Sequence, residues 1–200
     1  MTNPTADTLA AAAARCFTEA RTHHTWTDAP VGDDVLRRLY ELVSMGPTSM
    51  NCQPMRLQFV RSAEAKERLL ACVAPGNVAK TRTAPVTAIV GMDMAFFEQL
   101  PRTFPHMAGA RDVFAGKDEL VAATAMRNSS LQGGYLIVAA RLLGLDCGAM
   151  SGFDAAAVDR AFWAGTTVRT NFLCNLGYGV TDSLLPRQPR LAFGEACRVV

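Results

Sequence analysis

Five short polar stretches carry the side chains of this chain whose types and spacing are suited to chemistry. The first, EARTHH at 19–24, sets Arg21 two residues before His23. Such a pair can grip a phosphate, the arginine by its planar fork, or Arg21 simply complements a helix C-terminus beside surface histidines. The second, MGPTSMNCQP at 45–54, offers hydroxyls and an amide at Thr48, Ser49 and Asn51. These match the donor and acceptor edge of a heterocycle, although Thr, Ser, Asn and Pro are also what loops use. The third, GNVAK at 76–80, places Asn77 and Lys80 one helical turn apart, either a site or a surface helix. The fourth, GLDCGAMSGFD at 144–154, runs a strand into a Ser151-Gly152 turn, where glycine supplies permissive dihedrals. The last, LPRQPRL at 185–191, brackets Arg187 and Arg190 with prolines, a solvated tail or a stiffened anion site.

Other chemistries find no support. No GxGxxG follows a strand, and GxxxxGK[ST], GxSxG and HExxH do not occur. GYGVTD at 177–182 ends a strand without opening a helix and reads as a turn. The six cysteines contain no CxxC or CxxH pair, so no metal site is expected. The three histidines allow no Ser-His-Asp assignment.

The elements that must hold these stretches follow from periodicity and punctuation. A helix capped by Asp7 runs to about Arg21, and a second, capped by Asp33, stops at Gly46-Pro47. Residues 56–62 alternate as a strand, 62–73 form an amphipathic helix capped by Ser62, and 83–93 form an apolar β run. Residues 98–117 hold two prolines and two glycines without a clean period, which predicts a long loop or a lid of short helices. A long helix is expected from Asp118 to about Leu143, then a β–turn unit at 145–153, a helix at 154–163 and a strand at 170–179. Irregular alternation without a linker predicts one α+β domain over residues 1–200.

Composition narrows the class of partner. Charged residues make up 19%, hydrophobic residues 50%, and the net charge is +2 with signs interleaved. Nucleic-acid or membrane-surface binding therefore has no electrostatic footprint. Uncharged stretches such as 128–140 are too short to span a bilayer. The first residues have no basic segment ahead of their alanine run, so a helix is expected there, with reduced thiols and a cytoplasmic location. So apolar a chain is expected to hide surface in an oligomer interface or a cofactor site.

Taken in order, ART-H, GPTSMNCQP, GN-xx-K, GLDCGAMSGFD and LPRQPRL resemble the nitroreductase family of FMN-dependent NAD(P)H oxidoreductases. The resemblance runs from about residue 10 to 195. Its most specific pieces are PTS-x-N-x-QP at 47–54 and the LGLD…GFD block at 143–154. ARTH, GPTSMNC, RTAPVTAIV, TFPH, RNSS, LIVA, MSGFD and PRL-x-F-x-EAC are most similar to the malonic semialdehyde reductase subfamily of bacterial uracil degradation.

The resemblance implies an α+β flavin fold, a central mostly antiparallel sheet flanked by helices, in an intertwined homodimer with FMN at the interface. Arg21, His23, Arg187 and Arg190 would meet the FMN phosphate. Thr48, Ser49 and Asn51 would contact the isoalloxazine from the partner subunit, on a loop shaped by Pro47. Asn77 and Lys80 would address the pyrimidine edge and ribityl chain, and Asn128 the ring. Ser151 and Gly152 would present backbone N–H groups at flavin N5; with Lys80 they form the catalytic set. Many relatives have serine where this chain has His23, an acid at Ser151, and lysine near Arg187 and Gln188. Hydride addition at N5 leaves negative charge near N1 and the C2 carbonyl, so a donor at N5 and a cation at the pyrimidine edge are what the chemistry needs. Without a domain of its own, NADH or NADPH must share the flavin face with the second substrate, which implies ping-pong kinetics. In the 98–117 lid, Arg102 and Arg111 are the candidates to bind a substrate carboxylate, with His106 as proton donor; a solvated lid without substrate contact is the alternative. Malonic semialdehyde is the expected acceptor. The alternatives are a broad nitro/quinone reductase or a flavin reductase serving a partner enzyme.

Overall fold

The computed structural model describes residues 5–200. The first four residues, part of the stretch read above for a leader, lie outside it. The chain opens with α1 (Ala6–Ala13), which widens into a π-helical turn at Ala14–Thr18. Thr5, rather than Asp7, caps α1, its hydroxyl accepting from the Thr8 N–H, and the helix stops three residues short of Arg21. Then follow α2 (Asp33–Ser44), β1 (Met55–Val60), α3 (Ala63–Leu70), α4 (Pro75–Thr83) and β2 (Val86–Asp93). Short turns of helix at Phe96–Gln99, α5 (Leu100–Thr103) and Ala110–Val113 precede α6 (Asp118–Leu142). The chain finishes with β3 (Asp146–Met150), α7 (Ala155–Phe162), β4 (Val168–Gly177) and α8 (Phe193–Ala196).

Local signals explain most of these boundaries. Ser62 and Asp154 cap α3 and α7 by accepting from the N–H groups of Ala65 and Ala157. Asp33 is not itself a cap. Gly32 holds that place without a side-chain bond, and Asp33 and Asp34 occupy the first turn of α2, where negative charge suits the helix N-terminus. Pro75 opens α4, which the chain-wide periodicity did not predict as an element because its apolar residues follow no face.

The strands form one sheet in the order β1-β2-β4-β3, every neighbouring pair antiparallel. One parallel bridge, Thr22 to Cys147, lays the 21–26 segment along β3. One core joins the sheet to α2 and α6 through Leu39, Val43, Val90 and Leu136, and another packs Leu69, Ile89, Val158 and Leu173 between the sheet, α3 and α7. The 98–117 segment takes the short-helix form and rests on a core of its own around Phe96, Leu100 and Phe114. Helix α6 crosses the sheet so closely that a β-carbon on Gly133 would stand 2.4 Å from the Phe172 ring. Its second half buries Leu136, Ala139 and Ala140 in the subunit's own core. The exposed apolar residues come from both halves: Leu120, Met126, Leu131, Tyr135 and Leu142. Among the described residues no helix is long and apolar enough to cross a membrane, and no group of side chains is arranged to hold a metal ion. Five of the six cysteines are buried, Cys197 is exposed, and all are free thiols.

Candidate functional site

At one end of the sheet, four arginines from three parts of the chain converge. Arg21, Arg141, Arg187 and Arg190 line a cavity of about 570 Å³ together with His24. Backbone carbonyls hold each guanidinium by one nitrogen. Arg187 Nη2 donates to Thr18 O and Ala20 O at 2.7 and 2.9 Å, and Arg21 Nη2 to Leu185 O. Arg190 Nη1 donates to Gln188 O at 2.8 Å, and Arg141 Nη1 to Cys16 O at 2.8 Å. Among the described residues none of the four is paired with a carboxylate, and the buried Arg141 Nε has no partner. The groups are thus oriented without being neutralised, which is what an anion site requires.

His23 does not line that cavity. It is buried at 4% exposure, its Nε2 3.7 Å from Asp146, and it fills the space beside Gly179, where any β-carbon would collide with the ring. His24 is among the residues that line the cavity instead. Arg141 was also missed by sequence reasoning: it closes an apolar helical run, and its approach to the ART-H segment is a long-range contact no local spacing encodes.

The Ser151-Gly152 turn is pinned by α4. Asn77 Nδ2 donates to Gly152 O at 2.7 Å, and Ala74 N donates to the same oxygen at 2.9 Å. A β-carbon on Gly152 would stand 2.5 Å from that amide nitrogen. Asn77 therefore spends its donor on orienting the turn, leaving its carbonyl oxygen for another partner. The Lys80 carbonyl, in the last turn of α4, accepts from Trp26 Nε1 at 3.1 Å and Asn175 Nδ2 at 3.2 Å. Lys80 lies near enough to His24 to help hold its pKa below the ordinary imidazole value, after burial and ahead of His23.

The 45–54 stretch forms a strained loop. Met50, Asn51 and Gln53 have φ of 52°, 47° and 41°, the left-handed region that non-glycine residues rarely enter. Ser49 N donates to Asn128 Oδ1 at 2.8 Å, and Thr48 Oγ1 accepts from Gln53 N at 3.2 Å. Asn51 Nδ2 donates to Thr103 O of the lid at 2.8 Å. Asn128, 1% exposed, gives its own N–H to Thr124 O. Both ends of its amide are engaged within the subunit, so it buttresses the loop from below rather than presenting itself at a surface. Burial raises the pKa of the neighbouring Cys52 thiol to about 11, which keeps it protonated at neutral pH.

A second cavity of about 570 Å³ lies between this loop and the lid, with Gln53, Arg56, Gln99, Arg102 and Gln132 among its lining. Of the lid candidates, only Arg102 belongs to it. Arg111 is held by Glu98 through two bonds of 2.7 and 2.8 Å, which lowers the carboxyl pKa and raises that of the guanidinium. His106 packs on Phe104, ring centroids 3.9 Å apart. The arginine cavity contains no residue of the 45–54 loop, and the loop cavity contains none of the arginine cluster. The two cavities share no lining residue.

Comparison with known proteins gives this arrangement a context. Residues 18–178 match the nitroreductase family. A protein of Burkholderia lata provisionally named NADH dehydrogenase/NAD(P)H nitroreductase is 60% identical over 183 residues, covering 92% of this chain and 93% of the relative. A protein of Polynucleobacter asymbioticus with the same provisional name is 59% identical over 184 residues, with the same coverage. Among solved structures, a provisionally named nitroreductase from Bacillus subtilis superposes with a TM-score of 0.86 at 22% identity, over 96% of this chain and all of that one. Another from Exiguobacterium sibiricum, solved in complex with FMN, gives a TM-score of 0.81 at 18% identity, over 100% and 99% of the two chains. Matched from residue 18 to residue 178, with relatives at 59 and 60% identity across nearly their whole length, the chain belongs to the nitroreductase family.

Proposed function

We propose that this chain, a nitroreductase-family enzyme, is an FMN-dependent NAD(P)H oxidoreductase that works as a homodimer in the cytoplasm. The observation that carries this reading is the cluster of four carbonyl-anchored, unneutralised arginines. The residues present fit the cofactor. Arg21, Arg141, Arg187 and Arg190 keep N–H groups for a phosphate, the Asn77 carbonyl oxygen and the Lys80 ammonium suit the pyrimidine edge, and glycine at 152 leaves room for Asn77 to hold the turn. Bound FMN would supply hydride chemistry. The Ser151 and Gly152 amides and Lys80 would offer the donor and the cation that such chemistry needs. Thr48, Ser49 and Asn51, on a loop entered through Pro47, would complete the site from the partner subunit. The separation of the arginine cavity from the loop cavity supports that arrangement. So does the exposed apolar surface of Met45, Leu131 and Tyr135, where Gly46 packs against the Tyr135 ring.

For the acceptor, we propose malonic semialdehyde, reduced to 3-hydroxypropionate in pyrimidine catabolism, with Arg102 receiving the substrate carboxylate. Arg102 lines the loop cavity and is held only by Gln99, its Nη2 donating to Oε1 at 3.1 Å. The names carried by the relatives favour a second reading, a broad NAD(P)H nitroreductase; a quinone reductase or a flavin reductase serving a partner enzyme is a variant of it. The deciding experiment compares NADH and NADPH consumption with malonic semialdehyde, a nitroarene and free FMN. Parallel double-reciprocal lines are expected. A preparation that takes up no FMN on reconstitution would sink the reading as a whole, and turnover of the nitroarene alone would sink the semialdehyde assignment.

A further inference from the structure

We infer that His24 is the protonatable fifth member of the arginine cavity: a phosphate monoester binds there together with a proton taken up by its imidazole. Cofactor retention then weakens as pH rises. The inference rests on the reading above, in which this cavity receives the FMN phosphate.

Geometry places His24 among positive charge only. The groups that face the same cavity are Arg21 from its own segment, Arg141 from α6, and Arg187 and Arg190 from the tail, with Lys80 of α4 and His23 close by. No Asp or Glu lines the cavity. The nearby carboxylate, Asp146, is shared by His23 and Arg15 at 3.7 Å each and by the Gly179 N–H at 2.9 Å. In the absence of an anion, partial burial, Lys80 and His23 all disfavour imidazolium, so the ring is neutral at pH 7. A phosphate dianion among the guanidinia reverses the sign of the local field. Protonation then supplies a second N–H donor and a charge pair at a site built of arginines.

The sign follows from linkage. Where the bound state holds a proton that the free state lacks, affinity falls with rising pH, by up to about tenfold per unit. The window opens at the lowered pKa of the empty site, below 6.5, and closes at the raised pKa of the filled one. The second ionisation of the phosphate itself, near about pH 6, acts in the opposite direction and is common to every variant.

The test is calorimetric titration of apo-dimer with FMN at pH 7, in two buffers of different ionisation heat. Wild-type protein is expected to take up a substantial fraction of a proton per FMN, and H24Q and H24N none. Affinity of the wild type is expected to fall more steeply than that of either variant between pH 6.5 and 8.5. Riboflavin, which lacks the phosphate, is expected to bind without proton uptake, and inorganic phosphate to compete with FMN. His24 is exposed, so neither variant threatens the fold. Wild-type binding without proton uptake, or uptake that persists in both variants, overturns the inference while leaving the cofactor assignment standing. Absence of FMN binding in the wild type overturns both.

Discussion

Replacing Gly152 by alanine tests how the amide turn is built. No left-handed dihedral is at issue, since the φ of Gly152 is not among the positive ones. The cost arises from contact alone: the new β-carbon would stand 2.5 Å from Asn77 Nδ2 and 3.6 Å from the Ala74 β-carbon. The first distance is forbidden and the second is ordinary van der Waals contact. Because the obstructing atom ends a flexible side chain, Asn77 rotates away and gives up its 2.7 Å bond to Gly152 O. Losing such a bond costs about 1 kcal/mol, and residual overpacking adds about 1 kcal/mol at most. Gly152→Ala is therefore expected to destabilise the apo-protein by about 1–2 kcal/mol. Asn77→Ala removes the same bond and also the obstacle, so Gly152→Ala in that background should cost close to nothing. A double-mutant cycle by urea denaturation should then show a coupling of about 1–2 kcal/mol, and FMN affinity should fall in both single variants. Additive effects would mean that Asn77 does not hold the turn, and the positioning argument would fail.

Three further expectations follow from the same geometry. Arg21→Ala with Arg190→Ala should weaken FMN binding by about two orders of magnitude or more, since charge-assisted bonds contribute roughly 1.5–3 kcal/mol each; normal affinity by flavin fluorescence titration would remove the phosphate assignment. Asn128→Ala should cost about 1–3 kcal/mol by orphaning the Ser49 N–H. Asn128→Asp, which keeps the acceptor, should recover part of that loss in thermal unfolding, and equal losses in the two variants would rule out the buttress. Lys66 is 7% exposed, donates to Ala84 O and Thr87 Oγ1 at 2.9 and 3.1 Å, and burial lowers its pKa to about 8 from an ordinary 10.5. Between those values the unfolded chain holds the proton that the folded one has lost, so this group makes stability rise with pH across that window and contributes no slope below it. Urea titrations of wild type and Lys66→Met between pH 7 and 10 should differ by that rise, and identical pH slopes would contradict it.

Much of the fold is legible in the chain because the signals are short-ranged. Ser62 and Asp154 cap their helices from within three residues, and the Gly46-Pro47 stop and the 83–93 β run depend on neighbours alone. Helix α4 was legible only as the surface-helix alternative for GNVAK, because nothing in its own periodicity marks a buried face; it is held by Trp26, Asn175 and Lys66 from elsewhere in the chain. The cap of α1 was displaced for a simpler reason: a threonine two residues before Asp7 can make the same bond. For the site, the structure brings ART-H to PRQPR and GNVAK to SGFD, two of the pairings among the segments the sequence singled out. The sequence did not identify which side chain of each segment faces which way.

Sequence alone thus determined the segments, their residue types and the α+β class, because capping, turn chemistry and hydrophobic period are properties of a few adjacent residues. Tertiary structure decided the allocation of the side chains. His23 and His24 are adjacent on an extended segment, so one must turn inward and the other outward, and the bridges to Cys147 and Gly179 select His23 for the interior. The same kind of long-range contact commits Asn128 to Ser49 and brings Arg141 to the arginine cavity. These choices depend on which surfaces meet when the sheet, α6 and the C-terminal tail pack together, and no spacing within a single segment carries that information.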